Sequence, residues 1–466
     1  MRAPLGMAGA AGLAVVWLWA LSPLLRAPPA TRDALLWLQR GLGGDWLAWA
    51  LTQRHFVGYR PLAALSYTAN GALAATSAEA FRAVDLALIA AAGLLLAALA
   101  RRWFGPVAAL VAAAAYFLHP ATEEIAIDLA RRSYTLSASL LLGGLLALPR
   151  PRRAALLLGA AILCNETAVI PALLSPLLLR WRHPGLSARP IVAVVAAIAA
   201  VRLAVLRGGG GYTGVNIVQP WSDGGPLSSG EPLALQPVLS VAAASYQAIV
   251  PVAGDGHRLP AAFLLLGAVL AWRLWAAGPA GRALLAWLGG LLAIGAVTVT
   301  WFWRMAYPPL LPLALGAGLL VQRRDRIGAA AVVGVLALWL VQSPLLRGPR
   351  PLVGELVARG ALIAQIEQGG EGRETVFLAL SETRHRAVAA QRWLSLRAPE
   401  TTWTLAAHCK SEHHPVALER WGGVVIHEDA VSTEDGAPLL GPRRAIAPPE
   451  GAALVWTAAG AVHWLP

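Results

Sequence analysis

Residues 115–136 read AYFLHPATEEIAIDLARRSYTL. An apolar run ends in His119-Pro120, two Glu, one Asp and two Arg follow, and apolar sequence resumes at once. Ionisable groups beside lipid-length apolar runs are costly unless they sit at a polar boundary or face a cavity. The stretch therefore reads as a turn between two membrane helices, and the rest of the chain is read from it.

Of 466 residues, 57% are hydrophobic and only 14% charged, where a soluble domain carries roughly a quarter charged residues. Apolar spans fall near 8–25, 81–100, 105–118, 134–149, 154–166, 168–180, 188–206, 260–276, 282–300, 305–322 and 326–344. Several reach the ~17–25 residues that cross a bilayer as a helix. The net charge of +13 is carried almost wholly by Arg, Lys410 being the single lysine. It clusters between spans, at Arg101-Arg102, PRPRR (149–153), RWRH (180–183) and RRDR (323–326). This is the positive-inside pattern, and no aromatic-basic stripe of the nucleic-acid type accompanies it.

With those clusters in the cytoplasm, the N-terminus lies inside. The loop 26–80, the residues after His119, the loop 207–259 and everything beyond 345 lie outside. Eleven spans satisfy the pattern if 236–252 lies along the interface. The run 8–25 behind Arg2 resembles a signal peptide, but no small-residue cleavage site precedes RAPPATRD, so an uncleaved first helix is expected. Cys164 sits in an apolar span and Cys409 in the tail, and no disulfide between them is expected.

The expected architecture is an all-α polytopic membrane protein of about eleven transmembrane helices over 1–345, with a small extracytoplasmic α/β domain over 346–466. In the first outer loop, 32–53 and 59–75 carry Leu, Trp and Tyr at helical spacing and read as amphipathic helices on the outer leaflet. GGGG at 208–211 opens a polar loop long enough to be a lid or binding loop. Beyond 345 come a helix at 351–368, strand-like runs at 374–380, 402–407, 422–428, 453–460 and 461–466, and a helix around 383–396. AAHCKSEHH (406–414) has no standard zinc spacing and reads as a solvated loop.

On a continuous helix Glu124, Asp128 and Arg131 share one face, and Arg132 lies four residues beyond Asp128. Two readings stay open. These charges form local ion pairs worth ~0.3–0.5 kcal/mol each, or they line a polar cavity at the membrane boundary. Asn165-Glu166 inside an apolar run reads either as functional or as helix–helix hydrogen bonding.

The stretch HPATEEIAIDLARRSYTL resembles the His-Pro…Glu…Arg signature of GT-C-type polytopic glycosyltransferases. It is most like that of the transmembrane O-mannosyltransferases that carry tetratricopeptide repeats, although no 34-residue repeat occurs here. His119, Pro120, Glu124 and Arg132 match it. HFVGYRPLAALSY resembles the family's Tyr-Arg-Pro-Leu element through Tyr59, Arg60 and Pro61. LCNETAVIPALL is similar to a Lys-Glu…Pro element through Glu166, with Asn165 in place of the Lys. WRMAYPPLLPLALG resembles an Arg-x-x-Tyr-x-Pro element through Arg304, Tyr307 and Pro309. The likeness runs from residue 1 to about 345.

The resemblance implies transfer of a sugar from a polyprenyl-phosphate carrier to an acceptor hydroxyl at the outer face of the bacterial cytoplasmic (inner) membrane, by a direct, inverting displacement. The implied partners are the donor lipid, a glycan, lipid or protein acceptor, and the bilayer, with no nucleic acid. The phosphate calls for guanidinium groups, here Arg60, Arg132 and Arg304, and the acceptor hydroxyl calls for a carboxylate base. The family's first outer loop supplies an acidic pair, which here reads Arg32-Asp33. Asp33 is the implied base, with Glu124 assisting it or holding a divalent metal; no other cofactor is implied. Tyr59, His119, Glu166 and Tyr307 are supporting residues. Two alternatives stand beside this: a transporter or flippase for lipid-linked saccharides, and a non-catalytic relative, to which Arg32 and Asn165 point. The charges sit in outward loops with no two-fold repeat, which favours the enzyme.

Overall fold

A computed structural model describes residues 5–27, 34, 37–38, 42, 50–51, 59–74, 77–206, 261–297, 307–347, 351–380, 384–408, 431–432, 438–439, 452–458 and 461–465. Helices fill the first part: α1 (Leu5–Leu21), α2 (Pro61–Ala74), α3 (Ala78–Trp103), α4 (Pro106–Leu118), α5 (Pro120–Ile127), α6 (Arg132–Leu146), α7 (Pro151–Cys164), α8 (Val169–Arg182) and α9 (Arg189–Leu206). They continue with α10 (Ala261–Ala276), α11 (Pro279–Val297), α12 (Tyr307–Gln322), α13 (Arg326–Gln342) and α14 (Pro344–Arg347). Then follow α15 (Pro351–Gly370), β1 (Thr375–Leu380), α16 (Arg384–Arg397), β2 (Thr402–His408), the short pair β3 (Val431–Ser432) and β4 (Pro438–Leu439), β5 (Ala453–Ala458) and β6 (Ala461–Leu465).

Among the described residues, two helical stretches are long and apolar enough to cross a membrane unaided, Gly6–Arg26 and Ala78–Trp103. Shorter apolar helices occupy Pro106–Leu118, Tyr307–Gln322 and Arg326–Gln342. Small residues let these helices pack closely. A Cβ at Gly318 of α12 would lie 2.7 Å from the Ala108 carbonyl oxygen of α4, so glycine there permits backbone contact. The outward faces are apolar as well: Val15, Trp19, Leu156, Leu173, Leu177, Trp272, Trp275 and Val333 are all exposed.

The bundle has two chemically different ends. At one, Arg102 donates to the Leu146 carbonyl and Arg182 to the carbonyls of Arg102 and Trp103. Arg273 and Asp325 pair near the same turns, because Asp325 opens α13 directly after α12, whose terminal Gln322 abuts Gly105. The arginine-rich turns thus gather at one end. At the other, buried Arg82 donates to the carbonyls of Ala27, Ala126 and Ile127, tying the segments after α1 and α5 to the start of α3.

The sheet lies with this second end. Its strand order is β2-β1-β5-β6, with β1 parallel to β2 and β5, and β6 antiparallel to β5. α16 forms the crossover between β1 and β2. One apolar cluster joins Trp37, Leu38, Tyr67 and Phe81 near the bundle to Ile366, Val376, Leu378 and Trp403 around the sheet. α2 does not simply lie on a leaflet as the sequence suggests: Ala63, Ala64, Tyr67 and Asn70 form a buried face, and the Tyr67 hydroxyl donates to the Leu129 carbonyl. That seating carries Arg60, one residue before α2, into the bundle end.

The expected strand at 422–428 and the helix at 236–252 fall outside the described residues, as does the polar loop opened at 208–211.

Candidate functional site

The opening stretch folds differently from a single helix. His119 precedes a proline and is extended (φ −70°, ψ 127°), as pre-proline sterics favour. Its Nδ1 accepts from the Ala121 amide at 3.0 Å, so it caps α5, and its ring packs edge-on to Trp339 with centroids 4.6 Å apart. α5 then stops at Ile127. Asp128 is extended (φ −108°, ψ 111°) and caps a new 3-10 turn by accepting from the Ala130 amide.

Glu124, Asp128 and Arg131 therefore do not share one helical face. Asp128 pairs instead with Arg131 at 2.9 Å across the turn. Glu124 is half-buried on α5, while its neighbour Glu123 is fully buried and pairs with Arg347 at 3.0 Å. Arg132 does not meet Asp128 as a helical partner. It is 1% exposed, its Nε donates to Asp85 at 2.5 Å, and its other nitrogens donate to Asn70 and to the carbonyls of Ser66 and Phe81. Its guanidinium lies 4.3 Å from the Tyr67 ring centroid. Every one of these contacts is internal, so Arg132 fastens α6 to α2 and α3. Its placement removes it from the residues we assign to a ligand.

Arg60 has different surroundings. Its Nη2 and Nε grip the two carboxylate oxygens of Glu166 at 2.5 and 3.1 Å, a fork-to-fork pairing. Its Nη1 lies 3.4 Å from the Ser133 hydroxyl. A second cation joins them: Arg202 approaches Glu166 at 3.6 Å and donates to the carbonyls of Tyr59, at 2.5 Å, and Ile162. Glu166 sits in the three-residue turn between α7 and α8, outside both helices, because α7 ends at Cys164 and Asn165 caps the turn by accepting from the Thr167 amide. Burial would raise its carboxyl, but the charge and hydrogen bonds of Arg60 and the charge of Arg202 outweigh it and hold the pKa down to about 2. Glu166 is an anion throughout the physiological range.

A narrow cleft lies beside this cluster. Tyr134, Thr167, Trp287 and Tyr307 line it together with Ala138, Pro171 and Leu311. Tyr134 belongs to both, since Arg60 lies 6.0 Å from its ring centroid. Tyr307 is buried, with its hydroxyl 2.5 Å from that of Tyr116, which in turn donates to the Ile89 carbonyl. A largely apolar cleft with Arg60 beside one of its lining rings suits an amphiphile whose head is anionic.

The structure thus brings together Tyr59, Arg60 and Glu166 in one cluster, with Tyr307 in the adjoining cleft. His119 shapes α5 and Arg132 is internal. Arg32, Asp33 and Arg304 lie outside the described residues. Among the described residues, no three His, Cys, Asp or Glu side chains gather to hold a metal ion. Sequence reasoning missed Arg202 and Asp85. Arg202 sits alone in an apolar run, and a lone ionisable group in such a run is a signal that could identify it, whereas Asp85 follows Arg82 by three residues and carries no such mark.

No family model matches the chain, and no curated protein matches it. Among solved structures, ArnT from Cupriavidus metallidurans in the apo state is similar at 13% identity, covering 95% of this chain and 91% of that one, with a TM-score of 0.46. The same protein bound to undecaprenyl phosphate is similar at 14% identity over 98% and 93% of the two chains, with a TM-score of 0.48. An Archaeoglobus fulgidus oligosaccharyltransferase in complex with Zn and sulfate is similar at 13% identity over 84% and 62%, with a TM-score of 0.39.

Proposed function

We propose that this chain is a multi-pass membrane glycosyltransferase. It would move a sugar from a polyprenyl-phosphate donor to a hydroxyl of a glycan, lipid or protein at the outer face of the bacterial cytoplasmic membrane. The observation that carries the reading is the convergence of Arg60 and Arg202, from distant segments, on Glu166, with Arg60 also beside the Tyr134 ring that lines an apolar cleft. Two features support the orientation. The arginine-rich turns collect at one end of the bundle, where positive-inside placement makes that end cytoplasmic. The cluster belongs to the other end, near the sheet.

In this reading the carrier's apolar chain occupies the inter-helical cleft and its phosphate meets Arg60 and Arg202. The acceptor oxygen attacks the anomeric carbon, the bond from that carbon to the phosphate oxygen breaks, and the electron pair leaves with the lipid phosphate. The arginines stabilise that leaving charge. A carboxylate takes the acceptor's proton, and attack opposite the leaving group inverts the anomeric centre. We assign the base to Asp33, with Glu124 assisting, on the family resemblance.

The test is transfer of radiolabelled sugar from a polyprenyl phosphate in proteoliposomes. Loss of one donor to a developing charge costs on the order of 10²–10³ in rate, so Arg60→Ala should lower transfer by that much. Transfer within a few-fold of wild type would remove Arg60 from the site. Absent transfer in the wild type, together with movement of lipid-linked sugar across the vesicle, would replace the enzyme with a transporter.

A further inference from the structure

We propose that Glu166 is a resident counter-anion, which the donor's phosphate displaces from Arg60 as it binds. This rests on the sugar-transfer reading above and adds a step to it. Both oxygens of Glu166 occupy the fork of Arg60 that a phosphate would use, at 2.5 and 3.1 Å. A phosphate cannot take a two-point grip on those nitrogens while the carboxylate holds them.

Three further features make exchange feasible. Among the described residues, two guanidinium groups share one carboxylate, which favours the approach of a further anion. Glu166 stands on a three-residue turn with its side chain 32% exposed, so it can swing toward water without unwinding a helix. Arg202 is held independently by the Tyr59 and Ile162 carbonyls and touches Glu166 only at 3.6 Å. It would stay in place as the second phosphate ligand while Arg60 changes partner. Arg132 shows the contrary case: its partner Asp85 is buried, with no route to solvent of this kind.

The experiment is equilibrium binding of farnesyl phosphate to the full chain in detergent micelles, with farnesol and inorganic phosphate in parallel. A charge-assisted hydrogen bond is roughly twice as strong as a neutral one. Removing the competing charge by Glu166→Gln should therefore tighten farnesyl phosphate binding by about tenfold, which is ~1.4 kcal/mol. Arg60→Ala and Arg202→Ala should each weaken it, and farnesol should bind equally to wild type and Glu166→Gln. Glu166→Asp keeps the charge but shortens the reach, so it should tighten binding by less; it also serves if the Gln variant does not fold.

Unchanged or weaker farnesyl phosphate binding in Glu166→Gln, or in Glu166→Asp where it stands in, would overturn the exchange. Glu166 would then merely brace Arg60, and the transfer reading would survive. Farnesyl phosphate binding insensitive to both arginine substitutions would overturn the transfer reading and the exchange together. Inorganic phosphate binding as tightly as farnesyl phosphate would show that the displacing anion comes from solution rather than from a lipid.

Discussion

Arg132 and Arg60 match the same family's motifs, yet they end in opposite surroundings. Arg132 is 1% exposed and spends its nitrogens on Asp85, Asn70 and two carbonyls. Arg60 is 20% exposed and faces a carboxylate that is itself 32% exposed, with a second arginine on that carboxylate and a cleft nearby. The difference lies in partners rather than in residue type. A guanidinium whose donors are all met inside the protein ties helices together, whereas one paired with a partly exposed carboxylate near a cleft is the better placed to meet a ligand.

The sharpest break of that contrast is a pair of truncations followed by chemical unfolding in micelles. Arg132→Ala leaves buried Asp85 without its ion-pair partner, and breaking a buried pair costs about 3–5 kcal/mol. Arg60→Ala removes a partly exposed pair and should change stability by no more than ~1 kcal/mol. Equal losses in the two variants would erase the distinction. A double-mutant cycle sharpens it at smaller scale. Arg132→Met combined with Asp85→Asn should show a coupling of about 2 kcal/mol, while Arg60→Met combined with Glu166→Gln should show less than ~1 kcal/mol. A larger coupling at Arg60 would mean that its pair is structural after all.

The sequence made one half of this contrast visible. Apolar periodicity and the His-Pro junction locate the helix ends around 118–120, and β-branched and aromatic runs mark the strands at 375–380 and 402–408. Tyr59, Arg60 and Glu166 could be singled out because they stand in recognisable short patterns. The break at Asp128 could not. Nothing in EEIAIDLARR forbids a continuous helix, and the extended Asp128 arises from the Asp side chain capping a new turn and from Arg131 closing back on it. The partner of Arg132 was equally hidden, because Asp85 is forty-seven residues away and only tertiary packing joins them. Arg202 left a trace, a single cation inside AVVAAIAAVRLAVL, outside the arginine clusters that mark the cytoplasmic turns.

A third pair, at the arginine-rich end, bounds the comparison from its weak side. Asp325 caps α13 by accepting from the Gly328 amide at 3.1 Å and meets Arg273 at 2.6 Å, with both side chains partly exposed. Burial would raise its carboxyl, but the Gly328 amide and Arg273 outweigh it and hold it below the ordinary carboxylate range. A depressed folded-state pKa gives stability that is fully present above the unfolded value of about 3.9 and is lost as pH falls through the folded one. Asp325→Ala should therefore cost about 1 kcal/mol at neutral pH, the usual worth of a helix cap, and the gap to wild type should close as unfolding is measured at progressively lower pH. Asp325→Asn keeps the cap and loses the charge, so it should fall between the two. A gap that stays constant with pH would mean that the cap's geometry, and not its charge, stabilises this end. The exposed pair would then have nothing to teach about the ionic clusters at the other.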